Sequence, residues 1–473
     1  MDHNIFQKLL KRASYTSTGT LIARVSAAIT GIIIARAVGP ALFGVYAAVW
    51  ALITLSGALT EFGMTIGIKR DGARFPASLP GLLGNILIAK VMIGICALII
   101  AYFSCSVVTK SAKASMLFLP LALAGFSTVC TEPFFAALQV KGQQKLVSFL
   151  MMGRGLFFLI GIGLLAVFEF DIVALAWYQG LLYFVALIIV FFMVIPIVSI
   201  STDFSRILSQ IKGSFVFGIS ALLYSIYSQI PLLFLSHFRP EEEVGYFAVG
   251  LRFVTLSLLV GSAASNDAFL PSLFGLYKTN REKFRQVCES MQKLFVPLGV
   301  FMASALYVCS DALIIILQGE EYRPGVGILR IVCWMTVINY GVLAAGAALT
   351  AGDRIWAKVA FQTVVTLITL VVGLAIIEHY GDIGASYVMI ITWVCIMFLY
   401  IPYAHRKKLI GFSGLGSLFA PAGLTILLAV LIVHLIPDHN LLSIAIFFFG
   451  SLVLWQPTAR RELRNLLYRP NVA

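Results

Sequence analysis

Fourteen apolar windows follow one another through the 473 residues, each about as long as a membrane-crossing helix. They lie near 17–37, 42–66, 82–106, 115–139, 147–168, 172–196 and 214–236, then 244–270, 291–317, 325–349, 356–377, 383–403, 416–436 and 441–456. A helix needs about 20 mostly apolar residues to cross the hydrocarbon core of a bilayer. The windows lack the alternation of apolar and polar residues that marks a transmembrane barrel. Hydrophobic residues make up 60% of the chain and charged residues 12%, against roughly 25% charged in a soluble domain. So much apolar surface needs lipid as its solvent, and the expected class is an all-α polytopic membrane protein.

The net charge of +13 does not point to nucleic acid, which would require a basic face or stripe. The cations come instead in small groups between windows, as they do where positive residues remain cytoplasmic. With the N-terminus inside, the cytoplasmic segments hold Lys8, Lys11 and Arg12, then Lys69, Arg70 and Arg74, then Lys141 and Lys145, and so on to the HRKK run at 405–408 and Arg460, Arg461, Arg464 and Arg469. The outer loops receive Arg36, Lys110, Lys113, Arg239 and Arg323 together with most of the loop acids, Glu241 to Glu243 and Asp382 among them. Both termini are therefore expected in the cytoplasm, with an even number of spans. MDHNIFQKLLKR, at the start, precedes a full span without a small-residue cleavage site and does not read as a signal peptide. Its residues 4–12 form a short amphipathic stretch suited either to the inner membrane surface or to a positive flank of span 1. The seven scattered cysteines form no CxxC pair. No GxxxxGK[ST] loop and no HExxH is present. No cofactor or metal is expected.

One apolar sentence is written twice. ALFGVYAAVWALITLS at 41–56 returns as EEVGYFAVGLRFVTLS at 242–257, with Gly44 over Gly245, Ala47 over Ala248 and Thr54 over Thr255. AALQVKGQQK at 136–145 pairs with AALTAGDR at 347–354, and DIVALAWYQG at 171–180 pairs with DIGASYVMII at 382–391. The three matches keep their order and relate spans 2, 4 and 6 to spans 8, 10 and 12. Six spans per copy give both copies the same orientation, which is the parallel duplication of a two-lobed transporter. The expected division is 1–200 for the first lobe, 201–408 for the second, and 409–473 for two additional helices and a basic tail.

RAVGPALFGVYA, the AALQ and AALTAGDR turns, EEVGYFAVGLRF and GDIGASYV resemble the polysaccharide-transporter (O-antigen flippase) branch of the multidrug/oligosaccharidyl-lipid/polysaccharide (MOP) superfamily. The resemblance covers the chain up to the HRKK run. It implies two six-helix lobes arranged as a V, and the flipping of undecaprenyl-pyrophosphate-linked oligosaccharides across the bacterial inner membrane for O-antigen, capsule or exopolysaccharide. It also implies partner polymerase and chain-length proteins, and the last two spans look like those carried by some members.

Charges inside spans cost roughly 2.5–3.5 kcal/mol each on insertion scales and are functional candidates by default. The cations are Arg24, Lys90, Arg154, Arg252 and Arg330, and the acids are Glu61, Glu132, Asp267 and Asp311. A pyrophosphate stripped of water needs several charge-assisted donors, which guanidinium supplies in bidentate geometry. The five cations are therefore candidates for holding the headgroup at successive heights, with snorkelling of Arg24, Lys90 and Arg154 to the lipid headgroups as the plainer reading. Glu61, Glu132 and Asp267 are candidates either for coupling to H+ or Na+ or for ion pairing, Glu61 with Arg24 in particular. Pro133 should free a backbone carbonyl and interrupt the helix beside Glu132. Two other functions compete with flipping. A cation-coupled multidrug exporter of the same superfamily would favour an acidic or apolar cavity. A membrane-embedded glycan polymerase or acyltransferase would need a catalytic set, often in a large outer loop, and every outer loop here is short.

Overall fold

Away from water a backbone must bond to itself, and a helix does so within one segment. The computed structural model describes residues 3–202, 204–411, 416–435, 443–451 and 454–455, and those residues contain helices and turns with no strand. The helices are α1 (His3–Glu61), α2 (Met64–Arg74), α3 (Leu79–Val108), α4 (Ala112–Val140), α5 (Gln144–Val167), α6 (Ile172–Val194) and α7 (Phe204–Phe238). They continue as α8 (Glu241–Ala263), α9 (Leu270–Thr279), α10 (Arg281–Val308), α11 (Gly325–Val332), α12 (Met335–Ala351), α13 (Ile355–Arg406) and α14 (Gly416–Leu435).

Two of these helices are far too long for one crossing. Helix α1 holds 59 residues and α13 holds 52. Each bends at a glycine lying between two predicted windows: Gly39 at φ 75°, ψ 170° and Gly381 at φ 56°, ψ −135°. Those backbone angles exclude nearly every side chain. The window at 42–66 holds a second break that apolar continuity does not reveal. Phe62 (φ 33°) and Gly63 (φ 73°) separate α1 from α2. The window at 244–270 becomes α8, a π-helical turn over Ala264–Phe269, and the start of α9. Residues 443–451 of the last window are helical. Residues 452–453 of that window, and the basic tail with Arg460, Arg461, Arg464 and Arg469, lie outside the described residues.

The chain forms two compact units, one of Met1–Val249 with Ile355–Thr392 and the other of Gly250–Arg354 with Trp393–Ala473. In the first, small residues bring helices together. Gly19 of α1 abuts Ser148 of α5, and Gly155 of α5 abuts Ala23 and Ser26. Helix α3 buries Gly94, Ala97, Ala101 and Cys105 and exposes Met92, Ile95, Ile99 and Phe103. Small residues inward and large ones outward is the packing of helices dissolved in lipid. Met64, Ile68, Leu83, Phe134 and Val190 form an apolar core that fixes α2, α3, α4 and α6 together.

The repeated stretches adopt matching local structures. At the end of α4, Lys141 N bonds Ala137 O (3.0 Å) and Gln143 N bonds Leu138 O (2.9 Å). At the end of α12, Gly352 N bonds Ala348 O (2.8 Å) and Arg354 N bonds Leu349 O (3.1 Å). The left-handed residue of this C-cap is Gly142 in one copy and Asp353 in the other. Asp171 and Asp382 each accept a bond of 2.7 Å from the next residue's amide, Ile172 and Ile383. Gly44 and Gly245 each lie against the backbone of the other copy. A Cβ on Gly44 would strike the carbonyl oxygen of Glu241, and a Cβ on Gly245 would strike that of Pro40.

In the second unit, Val308 of α10 packs with Ala429 and Ile432 of α14 and with Phe447. The fully buried Tyr340 of α12 donates to Ser257 O of α8 (2.6 Å) and accepts from Gly261 N (3.0 Å). Its hydroxyl thus bridges a carbonyl and an amide one helical turn apart, just before the π-helical segment. Tyr340→Phe should cost about 1–2 kcal/mol, read as a lowered midpoint of thermal unfolding in detergent, and an unchanged midpoint would show that α8 closes its own turn without the hydroxyl.

Candidate functional site

The intramembrane charges sort by whether the chain neutralises them. Lys90 of α3 has a side chain 0% exposed and is bonded to Glu61, at the end of α1. Its ammonium also donates to Thr65 Oγ1 (3.0 Å) and to Val129 O (3.0 Å). An ammonium has three N–H donors, so Lys90 is saturated. Glu61 in turn accepts from Thr65 N and Thr65 Oγ1, both at 2.9 Å. The break at Phe62–Gly63 explains this arrangement: it leaves the first amides of α2 without helical partners, and the Glu61 carboxylate caps one of them.

Pro133 explains the remaining bond. Having no N–H, it leaves the carbonyl four residues back, that of Val129, without its helical donor. The Lys90 ammonium takes that carbonyl. Helix α4 runs unbroken from Ala112 to Val140 with Pro133 inside it, which corrects the expected interruption. The partner expected for Glu61 is corrected as well, because Lys90 holds it rather than Arg24.

Arg330 of α11 is also neutralised, by Asp311, with Ser310 Oγ accepting from its Nε (2.9 Å) and the Tyr307 ring 5.9 Å from its guanidinium carbon. Arg252 is half-buried on α8. Asp267 lies in the π-helical turn, and its side chain is outside the described residues.

Arg24 and Arg154 differ from these. Arg24 is exposed on α1, and Arg154 is half-buried on α5 with its guanidinium 4.8 Å from the centre of the Tyr183 ring. Neither has a carboxylate partner among the described residues. They flank one helix crossing, since Arg24 follows Ala23 and Arg154 precedes Gly155, and a Cβ on Gly155 would lie 2.9 Å from Ala23 Cα. Two positive charges are thus carried at the same level of one helix pair. Glu132 is half-buried beside Pro133 and likewise has no partner among the described residues.

The fold is shared with known membrane transport proteins. The Lipid II flippase MurJ in its inward closed conformation superposes with a TM-score of 0.73 at 14% identity, covering 95% of this chain and 99% of that one. An inward-facing multidrug resistance MATE transporter of the MOP superfamily gives 0.69 at 15% identity, covering 85% and 98%. A crystal structure of the Vibrio cholerae MATE transporter VcmN gives 0.61 at 15%, again covering 85% and 98%. No curated protein sequence matches the chain. Long apolar helices in this arrangement define a multi-pass membrane protein with the MOP fold. Residues 9–276 match the family described as polysaccharide biosynthesis protein, and the chain belongs to that family.

Proposed function

We propose that the protein flips an undecaprenyl-pyrophosphate-linked oligosaccharide unit from the cytoplasmic to the periplasmic leaflet of the bacterial inner membrane, supplying O-antigen, capsule or exopolysaccharide synthesis. In this reading residues 1–200 and 201–408 are two rocking lobes, 409–473 adds two helices and a basic tail, both termini are cytoplasmic, and polymerase and chain-length proteins receive the product. The observation that supports it is the pair of guanidiniums at the α1–α5 crossing. Like charges at one level repel, and within a membrane they are costly without an anion. A pyrophosphate would neutralise both through bidentate bonds. Arg252, half-buried on α8, is a further candidate for that role, whereas Lys90 and Arg330 already have their carboxylates.

Membrane sidedness of the lipid-linked sugar units tests this function. Deleting the gene should trap the units on the cytoplasmic leaflet. Arg24→Ala or Arg154→Ala, at normal expression, should slow their appearance outside by about 10- to 100-fold, as for loss of a charge-assisted bond. Full-rate export by the double variant would remove the headgroup role of these residues.

Coupling to H+ or Na+ is part of the same proposal and falls to Glu132, which, unlike Glu61 and Asp311, has no partner among the described residues. Glu132→Gln should make export insensitive to collapse of the ion gradient while the protein still folds. Export that remains gradient-dependent in this variant would exclude Glu132.

A further inference from the structure

The surroundings of Lys90 are those of a bound cation. A carboxylate from Glu61, a hydroxyl from Thr65 and the main-chain carbonyl of Val129 converge on one point inside the first unit. None of the three is there by accident of side-chain reach. The carboxylate is pinned by two bonds from Thr65, the hydroxyl is oriented by donating to that carboxylate, and the carbonyl is released by Pro133. Oxygen donors of these types hold hard cations, and one carboxylate balances one positive charge. We propose that this is a monovalent-cation site whose occupant is covalently attached: the Lys90 ammonium stands where an ion would otherwise bind, so this unit takes no cation from solution at that point.

The site does not depend on the transported substrate. It is pre-organised by the break at Phe62–Gly63 and by Pro133, neither of which involves Lys90. Removing the side chain beyond Cβ should therefore leave the oxygens in place around a space shaped for n-propylammonium, with a net charge of minus one to be met. Wild-type protein, with its own ammonium in place, has nothing to gain from any added monovalent cation at this position.

The test is thermal unfolding of purified full-length protein in detergent at fixed ionic strength, with chloride salts of choline, sodium, potassium or n-propylammonium. Lys90→Ala should show a saturable rise of about 3 °C or more in propylammonium or sodium over choline, as for a ligand bound only by the folded state. Wild type should show equal midpoints in all four salts. The double variant Glu61→Gln/Lys90→Ala, with the carboxylate gone, should be recoverable and also show equal midpoints. Equal midpoints for Lys90→Ala would overturn the proposal. So would failure to recover Lys90→Ala in any of the four salts, or a double variant that cannot be recovered or keeps the cation response.

Discussion

Lys90→Met, assayed in choline-based buffer, should destabilise the protein by about 3–5 kcal/mol, the cost of leaving one member of a buried ion pair without its partner. Glu61 is the member left behind. Its carboxylate would keep the two bonds from Thr65 but lose its counter-charge, and the Val129 carbonyl would lose its donor. Adding Glu61→Gln should recover most of that loss, because a neutral amide with a neutral thioether needs no counter-charge. Thermal unfolding of the four members of this double-mutant cycle measures the coupling directly. If the two losses add, Lys90 and Glu61 are independent and the pairing contributes nothing.

Gly44→Val should be nearly as damaging and in a different way. The added atoms meet the backbone at Glu241 rather than a side chain that can turn aside. Overpacking of a tight interior typically costs about 1–3 kcal/mol, and a backbone obstacle puts this case at the upper end. Gly245→Val should match it, because Gly245 faces the backbone at Pro40. On the proposed function, either variant should export lipid-linked sugar poorly even where it reaches the membrane. Both together should cost less than the sum, since either alone already forces the same two segments apart. Gly153→Ala and Gly163→Ala serve as controls: nothing lies within 4 Å of an added Cβ at either position, and unchanged or slightly raised stability is expected. A Gly44→Val protein as stable and as active as those controls would mean that the close crossing is not required.

Much of the fold is legible in the sequence because lipid restricts the chain so severely. The apolar windows locate the helices, and the glycine or turn between windows locates most of the bends, Gly39 and Gly381 among them. The three repeated stretches also carry their local geometry in plain view, down to the aspartates that bond the next amide. The break at Phe62–Gly63 is hidden. An apolar residue before a glycine inside an apolar run looks like more helix, and only the Glu61 carboxylate, able to cap the start of α2, hints otherwise. The candidate charges are all visible as charges, but their partners are not. Glu61 is 29 residues from Lys90, and which helix faces which depends on rotations about helix axes that composition does not record. Pro133 reads as a weak point in α4 because a proline's missing bond is local, whereas the group that repairs it comes from another helix. That Arg24 and Arg154 have no carboxylate partner among the described residues becomes recognisable only once the acids of the other cations are known.

The contact of Gly44 with Glu241, answered by that of Gly245 with Pro40, bears on how such a chain changes over time. Positions 40 and 241 stand 201 apart, as do 44 and 245, so the second contact is the first with the two copies exchanged. That is the geometry two identical subunits make across a two-fold axis, here within one polypeptide. A separate dimer receives every mutation on both sides at once. A fused pair receives it on one side only, and must fit the altered surface to an unaltered one. Where the meeting surfaces are bare backbone, few residue types satisfy that demand, and glycine stands at the matching position of both copies.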